Sequence, residues 1–348
     1  MTSPSSVPQE IVGEDQLEER LTAPSAALVE QMSGLRGNLV ILGAGGKMGP
    51  SLAVKAQRAV VEAGSDLKIV AVSRFSDEAS RRQLEDQGIS TMSADLLDRR
   101  SLDQLPDADN VIFLVGSKFG TSQNPSQTWA ANMLTPANAM DRYRQARFVA
   151  LSTGNVYPLT GVQSGGCSEA DPVGPVGEYA YAALGRERII EYQSKRHDTA
   201  VALIRLNYAT DLRYGVLTDI ATRVVRGEAV NVANGYLNCI WQGDANDAIL
   251  RALPLAESPV RVLNLTGPET LSVRKVAQEF GRQLDVAVEI EGEEADTALL
   301  SDASEYCKIL GPPSVSAETL IRWTAGWMRQ KGRLLNKPTH FEVRDGVF

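Results

Sequence analysis

A short apolar run that ends in a glycine-rich turn constrains this chain more than any other feature. Leu39-Val40-Ile41-Leu42 leads directly into Gly43-x-x-Gly46-x-x-Gly49, and a stretch carrying Leu52, Ala53, Ala56, Ala59 and Val60 follows. Four consecutive apolar residues without polar alternation predict a strand buried on both faces, as in a parallel sheet. A tight strand-to-helix turn needs a residue that tolerates positive φ, which glycine supplies. Bare backbone N–H groups at the start of a helix suit a pyrophosphate, and a close crossing of helix over strand needs a residue without Cβ. The spacing is GxxGxxG, with Gly45 a further glycine in the turn. The strand–turn–helix context favours a dinucleotide site over a glycine turn without a ligand.

The same texture repeats downstream. Lys68-Ile69-Val70-Ala71-Val72 reads as a second strand, and apolar runs follow at Val111–Val115, Phe148–Ser152 and Val201–Leu206. Helical segments over Asn132–Ala146 and Tyr179–Arg196 separate them. Short apolar strands alternating with helices predict an α/β chain with a Rossmann-type doubly wound parallel sheet. The dinucleotide-binding Rossmann domain is assigned to residues 38–206. After about Asn207 the alternation weakens. Strand-like pieces at Val260–Leu265 and Val286–Ile290 and helices near Val216–Arg226, Val273–Leu284 and Ala317–Gln330 remain. Residues 207–348 are read mostly as a smaller C-terminal substrate-binding region, with returning strands completing the sheet. Residues 1–37 are read as an N-terminal helical arm. It carries Leu17, Leu21, Leu28, Val29, Met32 and Leu35 among charges and is broken near Pro24. Such an arm is expected to bury its apolar stripe on its own fold.

Composition narrows the function. Hydrophobic residues make up 43% and charged residues 22% of the chain, which excludes disorder for most of it. With 35 basic against 43 acidic residues the net charge is −8, unlike a nucleic-acid or anionic-membrane binder. No apolar stretch approaches a membrane span, and the polar, Ser- and Pro-rich start lacks a signal-peptide core. Three scattered cysteines and two histidines predict neither a disulfide framework nor a metal site, and a cytoplasmic setting is expected. A homodimer is compatible with all of this.

The end of the second strand bears on the cofactor. An acidic residue there would bind a ribose 2′-hydroxyl, whereas an arginine accommodates a 2′-phosphate. The strand ends Val72-Ser73-Arg74, and Asp77 lies further along the loop. Lys47 is read as a second cation close to the phosphates. Both signs favour NADP over NAD.

Taken in order, further segments resemble the extended short-chain dehydrogenase/reductase family, in its NAD-dependent epimerase/dehydratase group. The resemblance runs from about Leu39 to about Trp327. Asp95-Leu96 looks like the segment that contacts adenine, and Val115-Gly116 like the one beneath the nicotinamide ribose. Asn132 holds the place of an asparagine that supports the active site. Leu151-Ser152-Thr153-Gly154-Asn155-Val156-Tyr157 resembles the family's Ser-Ser/Thr-x-x-Val-Tyr stretch. The run Glu169-x-Asp171-Pro172-x-x-Pro175 leads to Tyr179 as the family's acidic, proline-bearing segment leads to its tyrosine. Arg205-Leu206-Asn207-Tyr208 and Trp241-Gln242-Gly243-Asp244 resemble later strand and turn segments. The resemblance implies Thr153 and Tyr179 as catalytic residues. It implies cofactor contacts from Gly43, Gly46, Lys47, Met48, Gly49, Ser73, Arg74, Asp95, Leu96, Val115, Gly116 and Tyr179. Substrate contacts would come from Lys118, Asn155, Asn207 and Tyr208, with no metal.

Two departures matter. The family's Tyr-x-x-x-Lys becomes Tyr179 followed by Ala183, and the alternative Tyr181 leads to Gly185. Glu187 matches a glutamate common in the family and supports Tyr179. Hydride transfer at a carbinol carbon needs a proton partner for the oxygen. A phenol, ionising near pH 10 in water, serves if a cation lies close. One charge at about 5 Å in an effective dielectric near 20 is worth roughly 3 kcal/mol, on the order of two pKa units. Lys118 is a candidate replacement, while Arg186 falls on the wrong helical face. The second departure is Leu237, seven residues before Asp244, where nucleotide-sugar enzymes of the family often carry a phosphate-binding arginine. Without it, a carbohydrate-like substrate lacking a nucleotide diphosphate is expected, unless Lys118, Arg205 or Arg213 supplies the cation.

The function these residues support best is an NAD(P)-dependent oxidoreductase or epimerase acting on a sugar, sugar acid or related polyol. A lyase or isomerase using the cofactor transiently and a non-redox NADP-binding sensor are the alternatives. His197-Asp198 is read as a helix end where a cation suits the dipole. Cys239 is read as a buried small side chain, and Trp323 with Trp327 as a packing stripe.

Overall fold

The computed structural model describes residues 7–116, 124–337 and 339–346. Seven parallel strands form one sheet. They are β1 (Asn38–Leu42), β2 (Lys68–Ser73), β3 (Ser90–Ser93), β4 (Asn110–Phe113), β5 (Arg147–Thr153), β6 (Val201–Leu206) and β7 (Arg261–Leu265). Their spatial order is β7-β6-β5-β4-β1-β2-β3. This is the Rossmann-type doubly wound arrangement, with one strand added beyond β6. The order reverses between β1 and β4, which pair from Leu39 opposite Asn110 to Leu42 opposite Phe113. Ligands of such sheets bind at the carboxyl ends of the strands beside that reversal.

Alternate residues of the strands feed two cores. Leu39, Ile41, Ile112, Val149 and Ile204 join Leu52 and Ala56 of α3 (Gly49–Glu62) on one face. Val40, Leu42, Val111, Phe113 and Leu203 face the other way. There they meet Ala139 and Met140 of the helix Pro125–Arg142 and Ile190 of the helix Glu178–His197. A third cluster gathers Ile220 and Val224, Val276 and Phe280, and Trp323 and Trp327 from the helices Val216–Arg226, Val273–Leu284 and Ala317–Arg329. Trp323 meets Trp241 edge-on, with ring centroids 5.5 Å apart.

The N-terminal segment forms two helices on either side of Pro24, α1 (Gly13–Thr22) and α2 (Ala26–Gly34). Leu17 and Leu21 enter the third cluster, whereas Leu28 and Met32 pack on the α3 side of the sheet. Several expectations are corrected. Val286–Ile290 does not join the sheet; only Ile290–Glu291 pairs, with Val230–Asn231. Of the two strand-like pieces, Arg261–Leu265 alone returns to extend the sheet. The helix expected from Asn132 starts at Pro125, where Asn124 accepts a hydrogen bond from Gln127 N. Among the described residues no helix is long and apolar enough to cross a membrane.

Candidate functional site

The carboxyl ends of β1, β4, β5 and β6 surround a cleft in two compartments. Gly43 opens it with φ of +90°, and a Cβ there would lie 2.9 Å from Val115 Cγ2. Its N–H and that of Ala44 donate to the Val72 carbonyl, tying the turn to β2. A Cβ on Gly45 would lie 2.5 Å from Ser73 Oγ, and one on Gly49 would run into the Ala44 carbonyl. The turn, free of side chains at these glycines, leads straight into the N-terminus of α3, an arrangement that fits a pyrophosphate.

The first compartment, about 390 Å³, is lined by this turn with Ser73, Arg74, Asp95, Leu96 and Val115. Asp77 lines it too, but its carboxylate accepts from Ala79 N and Ser80 N and caps the helix Glu78–Asp86. The Ser80 hydroxyl and these amides hold the Asp77 carboxyl below its usual value. Arg74 is exposed at the compartment's edge.

The second compartment, about 290 Å³, is lined by Lys47, Met48, Gly49, Thr153, Asn155, Tyr179, Asn207 and Tyr208. Gly43, Gly46 and Gly116 line both compartments, so the two meet over the glycine turn. Lys47, read as a cation close to the phosphates, lines the second compartment with the glycine turn, over the Tyr214 ring. Lys118 lies outside the described residues.

Thr153 ends β5 and caps the short turn Gly154–Val156. Its Oγ1 accepts from Asn155 N at 3.2 Å and donates to Asn155 Oδ1 at 3.0 Å. Tyr179 enters the helix just after Gly177, whose φ is +85°. Tyr179 is 8% exposed and faces the compartment, whereas Tyr181 is 53% exposed and lines neither one. Ala183 is fully buried in a small apolar cluster with Val156, Tyr157 and Cys167.

The cations are distributed differently from expectation. Arg186, expected on the wrong face, is 3% exposed and turned toward β4. Its Nη1 donates to the Val115 carbonyl and to Asn132 Oδ1, each at 3.0 Å. Asn132 in turn donates to the Thr128 carbonyl. Arg205, a candidate phosphate ligand, is instead consumed internally. It donates to both oxygens of Glu187 at 3.1 and 2.8 Å and to the Tyr157 hydroxyl at 2.8 Å. Ser152 Oγ donates to the same Glu187. Burial opposes the Arg205 charge, but Glu187 outweighs it and raises its pKa. Arg213 is held by Asp211, Glu14 and Glu18. Neither arginine lines the second compartment. Leu237 is 1% exposed and packs in the third cluster. Asp244 accepts from Ser314 Oγ and Val315 N, away from the cleft. His197 ends its helix 3.7 Å from Asp141, also away from it.

Asn207 donates to Asn238 Oδ1, and Asn238 donates to the Ser301 carbonyl. Tyr208 adopts φ of +43°, and burial pushes its phenol well above its ordinary pKa. The C-terminal segment closes the compartment's far side through Thr339. Thr339 N and Oγ1 donate to Asp219 Oδ2 at 2.7 and 2.6 Å, and burial raises the Asp219 carboxyl. Nothing periodic in residues 331–346 signals this role, because the pairing joins positions far apart in the chain.

Comparison with family models matches residues 39–254 to the NAD dependent epimerase/dehydratase family. Comparison with curated proteins finds no match. Among solved structures, a UDP-glucose 4-epimerase from Thermotoga maritima aligns with a TM-score of 0.68 at 17% identity, covering 85% of this chain and 99% of that one. A UDP-glucuronic acid 4-epimerase from Bacillus cereus gives 0.71 at 14% identity, covering 85% and 100%. A dTDP-glucose 4,6-dehydratase from Bacillus anthracis, solved with NAD, gives 0.70 at 15%, covering 85% and 97%. At these identities the structural likenesses show a shared fold.

Proposed function

This chain belongs to the NAD dependent epimerase/dehydratase family, and on that premise we propose that it transfers hydride between a nicotinamide cofactor, NADP in preference to NAD, and a carbinol carbon of a compact sugar, sugar acid or related polyol. One observation carries the reading: Thr153 and Tyr179 line the same compartment as the Gly43–Gly46 turn. The Gly43–Gly49 turn and Val115–Gly116 would hold the dinucleotide, with Asp95 and Leu96 toward the adenine end and Arg74 at the 2′-phosphate. The bound nicotinamide supplies a hydride acceptor and donor. As the substrate C–H bond is given up, Tyr179, acting as its phenolate, takes the proton of the attached hydroxyl onto Oη and becomes the neutral phenol, and on reversal it returns that proton. Thr153 Oγ1 hydrogen-bonds the same substrate oxygen, and Asn155 fixes the threonine side chain.

Charge limits the size of the substrate. A nucleotide diphosphate needs cations, and Arg205 and Arg213 are committed to buried carboxylates. Among the described residues, Lys47 is the one charged side chain lining the second compartment. Thermal-shift titration tests this. Stabilisation by sugar acids or polyols in the presence of NADP is expected. Stabilisation by UDP- or dTDP-sugars, with none by compact sugars, contradicts it. A net change in nicotinamide absorbance during turnover distinguishes oxidation from transient use of the cofactor.

A further inference from the structure

Behind the floor shared by the two compartments sits a positive charge whose neighbours do not neutralise it. Arg186 is 3% exposed, and both its hydrogen bonds go to uncharged acceptors, the Val115 carbonyl and Asn132 Oδ1. Its Nε has no partner. Glu187, the next residue, is turned toward Arg205 and Ser152 instead. Among the described residues no carboxylate pairs with this buried cation, an expensive arrangement that calls for an explanation.

The surrounding geometry supplies one. A Cβ on Gly116 would run into Arg186 Nη1, so the guanidinium occupies the space where that side chain would be. Gly116 lines both compartments. Arg186 stands seven residues beyond Tyr179 on the helix Glu178–His197, about 10 Å along its axis. Helical side chains lean toward the helix N-terminus, which carries the guanidinium back toward the turn of Ala182 and Ala183.

We infer that Arg186 is the resident positive charge of this site, a positioning residue acting across Gly116 on the nicotinamide half of the dinucleotide. The inference rests on the dinucleotide reading above. The oxidised nicotinamide ring is positively charged and the reduced ring is neutral, so the buried cation favours the reduced form. For one charge at a distance of about 10 Å in an effective dielectric near 20, the preference changes on the order of tenfold.

The test measures dissociation constants of NADPH and NADP⁺, with NADH and NAD⁺ in parallel, by calorimetry. It uses the full chain and its Arg186→Gln, Arg186→Lys and Asn132→Asp variants. Asn132→Asp sets a carboxylate against Nη1 and neutralises the arginine without removing it. The affinity ratio of reduced to oxidised cofactor should fall about tenfold in Arg186→Gln and in Asn132→Asp, and Arg186→Lys should retain it. A purely structural role would shift all affinities together and leave the ratio alone. An unchanged ratio in Arg186→Gln overturns the inference while the dinucleotide reading stands. Should Arg186→Gln fail to fold, an unchanged ratio in Asn132→Asp overturns it equally. No binding of any dinucleotide to the unaltered chain overturns the underlying reading, and the inference with it.

Discussion

Lysine at position 183 probes how much room and charge the site already contains. Ala183 is fully buried beside Val156, Tyr157 and Cys167 and stands three residues before Arg186 on one helix. Side chains three apart on a helix have Cβ atoms about 5–6 Å apart. Two like charges at that separation repel by about 3 kcal/mol in an effective dielectric near 20. Forcing a longer side chain into a packed cluster adds about 1–3 kcal/mol. Ala183→Lys should therefore destabilise the fold by about 4–6 kcal/mol and lower Tm by on the order of 10 °C. Adding Arg186→Ala should restore about 3 kcal/mol as a coupling between the two sites. Urea unfolding followed by tryptophan fluorescence reports both, since Trp241, Trp323 and Trp327 are almost fully buried. A lysine variant as stable as the parent chain, or strictly additive losses in the double variant, would refute the reasoning.

Arg74→Ala should erase most of a preference for NADP(H) over NAD(H). One charge-assisted contact is worth about 1.5–3 kcal/mol, roughly tenfold to a hundredfold, and equal affinities in the unaltered chain would remove the basis for this. Thr153→Ala should cost about 1 kcal/mol of stability through its lost cap, measurable by urea unfolding, and roughly tenfold to a hundredfold in turnover. The N-terminal arm should loosen in acid. Burial pushes the Glu14 carboxyl up, but Arg333 and Arg213 outweigh it and hold it below its usual value. Arg58 holds Glu19 down in the same way. Their contribution is thus complete above the unfolded carboxylate value, near pH 4.3, and is lost as pH falls through the lower folded values. Hydrogen-exchange protection of residues 13–34, corrected for intrinsic rates, should fall below about pH 4. Protection unchanged down to about pH 2 would show that these ion pairs do not hold the arm.

What the sequence made legible follows from how local each signal is. The Gly43–Gly49 turn was readable because positive φ and missing Cβ atoms are properties of the glycines themselves. The helices Val216–Arg226 and Val273–Leu284 were readable because each carries one apolar face. β3, Ser-Thr-Met-Ser at the sheet edge, has no apolar run to announce it. Val286–Ile290 has such a run but serves a two-residue ladder outside the sheet. Arg186 lies seven residues past Tyr179 and three past Ala183, within about 20° and 60° of them around a helix, so a correct count already puts it on their face rather than the wrong one. Arg205 and Arg213 looked available because their partners become visible only when the chain is folded; Glu14 and Glu18 lie far from Arg213 in sequence. The place of Lys47 in the turn is legible, but its packing over the Tyr214 ring joins positions far apart in the chain.

The central claim is that Tyr179 is the proton partner in a compartment that also holds the nicotinamide. Turnover by Tyr179→Phe, measured beside its cofactor affinity on whichever compact sugar or sugar acid the unaltered chain converts, tests it most directly. The phenyl ring keeps the packing of an 8% exposed side chain and removes only the hydroxyl. General acid–base catalysis contributes about a hundredfold to ten-thousandfold. Tyr179→Phe should lose turnover by that factor while cofactor affinity falls far less, by no more than the one hydroxyl contact Tyr179 makes to it. Turnover that survives the substitution would contradict the claim.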